Sequence, residues 1–245
     1  MSRPRLLIAS LLLILAAGAC QVRITGGVDM EPDGSGTVRA GVGLDAEALR
    51  VVGDIASVLQ VDDLRAGGWK IDGPREEDDG LTWVRASRQV ADTEEAEAAL
   101  AALSGPGGPF RDLTISRSQT LVHNRTRLTG TVDLTGGLTG LSDADFLAKV
   151  GDGLPLDVDG LREEFGADLD RVVQVQFEAA LPGSESGNTE DRDGDRLVWR
   201  APMGASLPIE ADSQALNLIP LAVLAVVLLA ATGLGTGWFL LRRRR

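Results

Sequence analysis

Few residues in this chain of 245 could do covalent or acid–base chemistry. It has one cysteine, Cys20, one histidine, His123, and no tyrosine, so the usual nucleophile–base pairs and histidine-based metal centres are close to excluded. Carboxylates are plentiful, 36 in all, but glycoside cleavage needs one particular pair set apart, and nothing singles a pair out. Asp191-Arg192-Asp193-Gly194-Asp195 looks like the opening of a calcium loop. Arg196 stands where that loop's glycine belongs, however, and Pro202 where its bidentate glutamate belongs, so a solvated hairpin turn fits better. Gly41-Val42-Gly43-Leu44-Asp45-Ala46 matches a dinucleotide-binding pattern, but the strand before it belongs to a hairpin and not to a βαβ unit. No catalytic residue, cofactor or metal site is expected.

Cys20 is the exception, because of what precedes it. Arg3 and Arg5 form a basic start, Leu6 to Ala19 an apolar run of 14 residues, and Ala17-Gly18-Ala19 leads into the cysteine. Fourteen residues are too few to span a bilayer, so residues 1–19 read as a signal peptide. Small residues directly before a cysteine match a bacterial lipobox, in which that cysteine is diacylated and becomes the mature N-terminus. An ordinary cleaved signal peptide is the alternative. With no second cysteine, an intrachain disulfide is ruled out.

The opposite end carries 24 consecutive uncharged residues, Leu218 to Leu241. As a helix they extend about 36 Å, enough to cross a hydrocarbon core of about 30 Å. Trp238 and Phe239 fall at the lipid boundary, and Arg242 to Arg245 form a basic tail that the positive-inside rule keeps in the cytoplasm. The expected topology is a single-pass membrane protein whose main domain, residues 20–213, is extracytoplasmic. All 36 acidic residues lie between the two terminal segments, which hold six of the 24 bases. The remaining 18 bases leave that region a formal charge of −18. Phosphate backbones would be repelled, so nucleic acid is not an expected partner.

The elements that must position this domain follow from periodicity. Val22, Ile24, Gly26, Val28 and Met30 alternate with polar residues, turn through 31–36, and resume with Val38, Ala40, Val42 and Leu44, a hairpin with one buried face. Asp45 caps a helix predicted to reach Leu59. A second hairpin is expected from Trp69–Ile71 and Leu81–Val90 across a loop at 72–80. Asp92 opens a helix with Ala96, Ala99, Leu100 and Leu103 on its buried stripe. Strands follow over 113–119 and 126–134, with His123-Asn124-Arg125 as the turn. The stretch 135–171 is either a helical cover or a functional flap, with Phe146, Leu154 and Phe165 as its candidate ligand-lining residues. Val173 to Leu181 and Arg196 to Ala201 form the last strand pair across a polar loop, and 206–211 adds a short edge strand. The predicted class is α+β, a mostly antiparallel sheet of seven to nine strands with two or three covering helices, plus the C-terminal transmembrane helix.

Taken in order, the lipobox leading directly into a strand, the stretch Val173-Gln174-Val175-Gln176-Phe177, the segment Gly194-Asp195-Arg196-Leu197-Val198-Trp199-Arg200, one membrane helix and a basic end resemble the LppM family of actinobacterial envelope lipoproteins. The resemblance is clearest over 110–134 and 172–245. It implies a non-enzymatic, membrane-anchored α+β domain that binds envelope lipid or glycolipid, and no catalytic residues. The alternative is an interaction module that docks a basic protein partner through its acidic surface. Both anchors join the domain with almost no tether, and its excess negative charge is expected to turn Asp191 to Asp195 away from the bilayer.

Overall fold

A computed structural model of the protein describes residues 21–52, 61–104, 108–135 and 173–217. Alternation builds the first unit as the sequence indicates. Strand β1 (Val22–Met30) buries Val22, Ile24, Val28 and Met30, and β2 (Gly36–Leu44) pairs with it antiparallel, Val28 opposite Val38 and Val22 opposite Leu44. Asp45 then caps helix α1 (Ala46–Val52), its Oδ1 accepting from Ala48 N at 2.8 Å and its Oδ2 from Gln21 N at 2.6 Å. The rest of the predicted helix, 53–60, lies outside the described residues. Helix α2 (Val61–Ala66) follows, an element that the apolar periodicity did not indicate.

Strand β3 (Lys70–Glu76) pairs with β4 (Thr82–Val90), which shrinks the expected loop at 72–80. Pairing resumes after a register shift between Asp72 and Arg75. Gly73 sits there at φ +105°, where a Cβ would fall 2.2 Å from the Trp83 carbonyl oxygen, so only glycine lets the strand continue. Helix α3 (Thr93–Leu103) is capped by Asp92, which accepts from Glu95 N at 2.9 Å, while the Glu95 carboxylate accepts from Ala91 N at 2.8 Å. It buries Ala96, Ala99 and Leu100 against the sheets.

Strands β5 (Phe110–Gln119) and β6 (His123–Asp133) differ from expectation at their turn. His123, Asn124 and Arg125 belong to β6, and the turn is Thr120–Val122. The Thr120 hydroxyl closes it, accepting from His123 N at 2.9 Å, which frees the polar triplet for the ladder. Beyond β7 (Val173–Ala180), the predicted polar loop holds two short strands, β8 (Ser184–Gly187) and β9 (Arg192–Asp193), before β10 (Arg196–Ala201). The last strand, β11 (Ser206–Leu216), is neither short nor at an edge: it lies between β6 and β8 and carries the folded part past residue 213. Its inward face continues through Ile209, Ala211, Ser213 and Ala215, and the buried Ser213 is what masked the alternation.

The described strands number eleven and form two sheets, ordered β3-β4-β2-β1-β7-β10-β9 and β5-β6-β11-β8. The β1–β7 pair is parallel and the other pairs are antiparallel. With three described helices this is the predicted mostly antiparallel α+β class, distributed over two sheets. One apolar cluster joins them, centred on Phe177, whose ring meets Phe110 edge-on at 5.6 Å and Trp199 at 6.4 Å.

The strand directions give the domain two ends. Gln21 lies at one, hydrogen-bonded to Asp45. At the other lies the β1–β2 turn, where the Pro32 carbonyl accepts from Asn124 Nδ2 at 3.2 Å and from the Arg117 guanidinium. Leu216 pairs with His123, and Asn217 N donates to the Val122 carbonyl at 2.8 Å, so the chain leaves β11 at this second end. The eight steps of β1 alone separate the ends by about 26 Å. Among the described residues no helix is long and apolar enough to cross a membrane; 218–241 lie outside them.

Candidate functional site

Alternation that sends one face of β1, β2, β4 and β7 into the core sends the other outward, and register decides which polar groups meet there. Gly27 pairs with Arg39 on β2 and with Glu178 on β7; Thr25 pairs with Gly41, and Gly41 with Arg85 on β4. The result is a charged trough of about 460 Å³ across the middle of the larger sheet. Its charged lining is Arg39, Lys70 and Arg85 against Asp72, Glu77 and Glu178, a balance of three and three.

Glycine makes the floor. A Cβ on Gly27 would come within 2.9 Å of the Glu178 carbonyl oxygen and 3.4 Å of Arg39 Nη2. One on Gly43 would strike the Trp83 ring at 2.7 Å. The pattern that mimics a dinucleotide motif therefore makes room for an indole, with β2 antiparallel to both its neighbours.

Arg39 is the central cation. Its Nη2 donates to Asp29 Oδ1 at 2.9 Å and lies 3.9 Å from Glu178 Oε2, while its Nε is buried without a hydrogen-bond partner. Burial lowers the guanidinium's pKa, an effect that the charge of Asp29 opposes. Asp29 is shared with Arg196, whose Nε and Nη2 reach its two oxygens at 3.1 and 2.9 Å. Toward the Gln21 end, Arg85 grips Glu77 with two bonds of 2.8 and 2.7 Å and stacks 3.9 Å over the Trp83 ring. Those bonds hold the Glu77 carboxyl below the ordinary carboxylate range and raise the Arg85 pKa. Arg23 donates to Asp79 at 3.2 Å, and its Nε too has no partner.

The trough thus offers guanidinium donors and carboxylate acceptors side by side. Arrays of this kind suit a ligand whose groups both give and accept hydrogen bonds, as sugar hydroxyls do. A strongly charged group of either sign would face three like charges as well as three opposite ones.

None of the residues that the sequence proposed is in the described lining of the trough. Cys20, Phe146, Leu154 and Phe165 lie outside the described residues. His123 is exposed at the start of β6, and Asn124 beside it is buried. In the calcium-like stretch, Asp191 accepts from Arg200 at 3.1 Å, and Arg192 donates to Glu185 at 3.2 Å. Among the described residues no group of three metal-ligating side chains comes together. Because Arg196 reaches Asp29 near the end of β1, the acidic β9–β10 turn lies at the same end of the strands as Asn217. The trough itself was missed, although the polar positions of β1 and β2 were legible, since their neighbours on β4 and β7 come from far along the chain.

No family model matches the chain, and no curated protein matches it. Among solved structures it is distantly similar in fold to the NMR structure of the folded domain of Mycobacterium tuberculosis LppM. The TM-score is 0.46 at 14 % identity, covering 81 % of this chain and 92 % of that one. A similarity of that size assigns no residue a role.

Proposed function

We propose that this is a non-enzymatic, membrane-anchored domain of the bacterial cell envelope that binds the polar, sugar-bearing head of an envelope lipid in the Arg39 trough. The observation that carries the reading is the charge-balanced trough, three cations set against three carboxylates around Arg39. The address comes from the sequence: residues 1–19 as signal peptide, Cys20 as the lipid-bearing residue, 218–241 as a single membrane span and 242–245 in the cytoplasm. A ligand whose lipid tail stays in the outer leaflet would present its head to a domain held at that surface.

Native mass spectrometry of the full chain extracted from its own membranes tests this. A retained glycolipid mass is expected, with Arg39→Ala and Glu178→Gln each lowering retention about tenfold, the worth of one charge-assisted hydrogen bond. A chain that carries no lipid, or variants that retain it equally, would count against the trough. The −18 charge favours a second reading, an assembly module for a basic protein partner. Crosslinking in the native membrane would then recover one dominant partner whose capture weakens with salt, and glycolipid retention would be absent.

A further inference from the structure

Among the described residues the exposed large apolar side chains are three: Leu121, 79 % exposed, Val122, 43 %, and Leu216, 56 %. They come from chain positions almost a hundred residues apart, yet all sit at one point of the fold. Leu121 and Val122 form the β5–β6 turn, and Leu216 pairs with His123 beside it. The arrangement is held in place. Thr120 N donates to the His123 carbonyl at 2.8 Å, Asn217 N to the Val122 carbonyl at 2.8 Å, and Asn217 Nδ2 to the Thr120 carbonyl at 3.0 Å. The turn also projects, since Asn124, two residues behind Val122, is already level with Pro32 of the β1–β2 turn.

What covers this apolar point follows from where the chain goes next. Asn217, bonded to the turn, is followed at once by the 24 uncharged residues from Leu218 to Leu241. The other long apolar-bearing stretch, 136–172, departs after Thr135 and returns before Val173. Both points belong to the Gln21 end: Asp133 pairs with Ser206 at the start of β11, and Val173 with Val22 at the start of β1. Around the turn itself Arg117, Arg125 and Arg127 are matched by Asp212, Glu31 and Asp33, with Arg127 holding Asp212 at 3.1 Å, while the acidic β9–β10 turn lies at the same end of the strands in the other sheet.

We propose that Leu121, Val122 and Leu216 form an apolar wedge that seats in the outer leaflet beside the point where the chain enters it. The wedge would set a fixed orientation in place of a freely hinged domain. This rests on reading 218–241 as a membrane span but not on the trough or its ligand.

The test uses the full chain in phosphatidylcholine nanodiscs, in a Cys20→Ser background, with an environment-sensitive fluorophore on Leu121→Cys or, as the control at the other end, on the exposed Asp78→Cys. The expected result is a blue-shifted emission at 121 that nitroxide-bearing lipids quench at least twofold more than emission at 78. Equal, water-like emission at both sites in chains that have entered the discs would overturn the wedge. So would a blue shift at 121 that lipid nitroxides leave unquenched, which would mean that protein covers it. If the span reading is what fails, the chain will not co-elute with the discs at all.

Discussion

The two ends of the strands are built on different terms. At the Gln21 end the surface is closed by polar bonds: Asp45 takes up Gln21 N, Asp79 accepts from Arg23 and from the Trp83 indole, and Arg85 clasps Glu77. At the Asn217 end the described exposed apolar side chains are concentrated instead, on a turn tied to the departing chain. A protein that met only water would gain nothing from leaving Leu121 and Leu216 uncovered, since burial of such side chains is worth roughly 2 kcal/mol each. Under the proposed wedge, the Asn217 end meets lipid, and what the Gln21 end meets depends on Cys20.

The contrast also changes what two short tethers mean. Gln21 follows Cys20 directly, and Asn217 precedes the uncharged run directly, but the two points lie about 26 Å apart along the strands. An upright domain can bring only one of them to the bilayer. If Cys20 carries lipid, the strands must lie along the membrane; if the signal peptide is simply removed, the domain stands on its wedge. The largest expected effect therefore comes from Cys20→Ser. Neutron reflectometry of the full chain in a supported bilayer should show the outer protein layer thicken toward the strand length, about 30 Å. A layer of unchanged thickness would mean that no lipid at Cys20 draws the Gln21 end down.

A smaller effect separates the ends by stability. Asp45→Ala removes the cap of α1 and the acceptor for Gln21 N, which should cost about 1 kcal/mol and lower Tm by roughly 2–4 °C. Thermal unfolding of the reconstituted chain checks it, and the fluorophore at 121 should report the same lipid contact as before. A change at 121 would show the ends to be coupled through the sheets.

The smallest effect is a pH dependence. Glu77 has a lowered pKa in the fold because Arg85 bonds its charged form, so its contribution is complete above the unfolded value of about 4.3 and is lost as pH falls through the lower folded value. Glu77→Gln should flatten the loss of stability below about pH 4, read by chemical denaturation across that range. Asp33, lowered by its bonds with Ser35 at the Asn217 end, sits in open solvent, and Asp33→Asn should flatten it less.

Much of the fold was legible where apolar and polar residues alternate without interruption. Val22 to Met30 is a strand of the length that its periodicity indicates, and those expected over Val38 to Leu44 and Val173 to Leu181 are found as Gly36–Leu44 and Val173–Ala180. The Asp92 cap and the Ala96–Ala99–Leu100 stripe are where they were read. Periodicity misled where a buried position is polar. Ser213 in β11 and Asn124 in β6 each interrupted an apolar pattern, so one strand was cut short and the start of the other was taken for a turn. Short strands such as β8 and β9 carry too few residues for any period to show.

By itself the sequence determined the alternating strands, the caps, the excess of acid between two terminal segments that hold none, and the lack of the usual catalytic residue pairs. Those properties depend on residues close in the chain or on simple sums. Tertiary structure alone decided that Arg39 faces Asp29 and Glu178 across a glycine floor, that Leu216 stands beside Leu121, and that Gln21 and Asn217 occupy opposite ends. Each depends on the register of strands brought together by a shared core. That register is selected by how the inward faces around Phe177 pack, and the outward-facing residues inherit whatever neighbours it gives them.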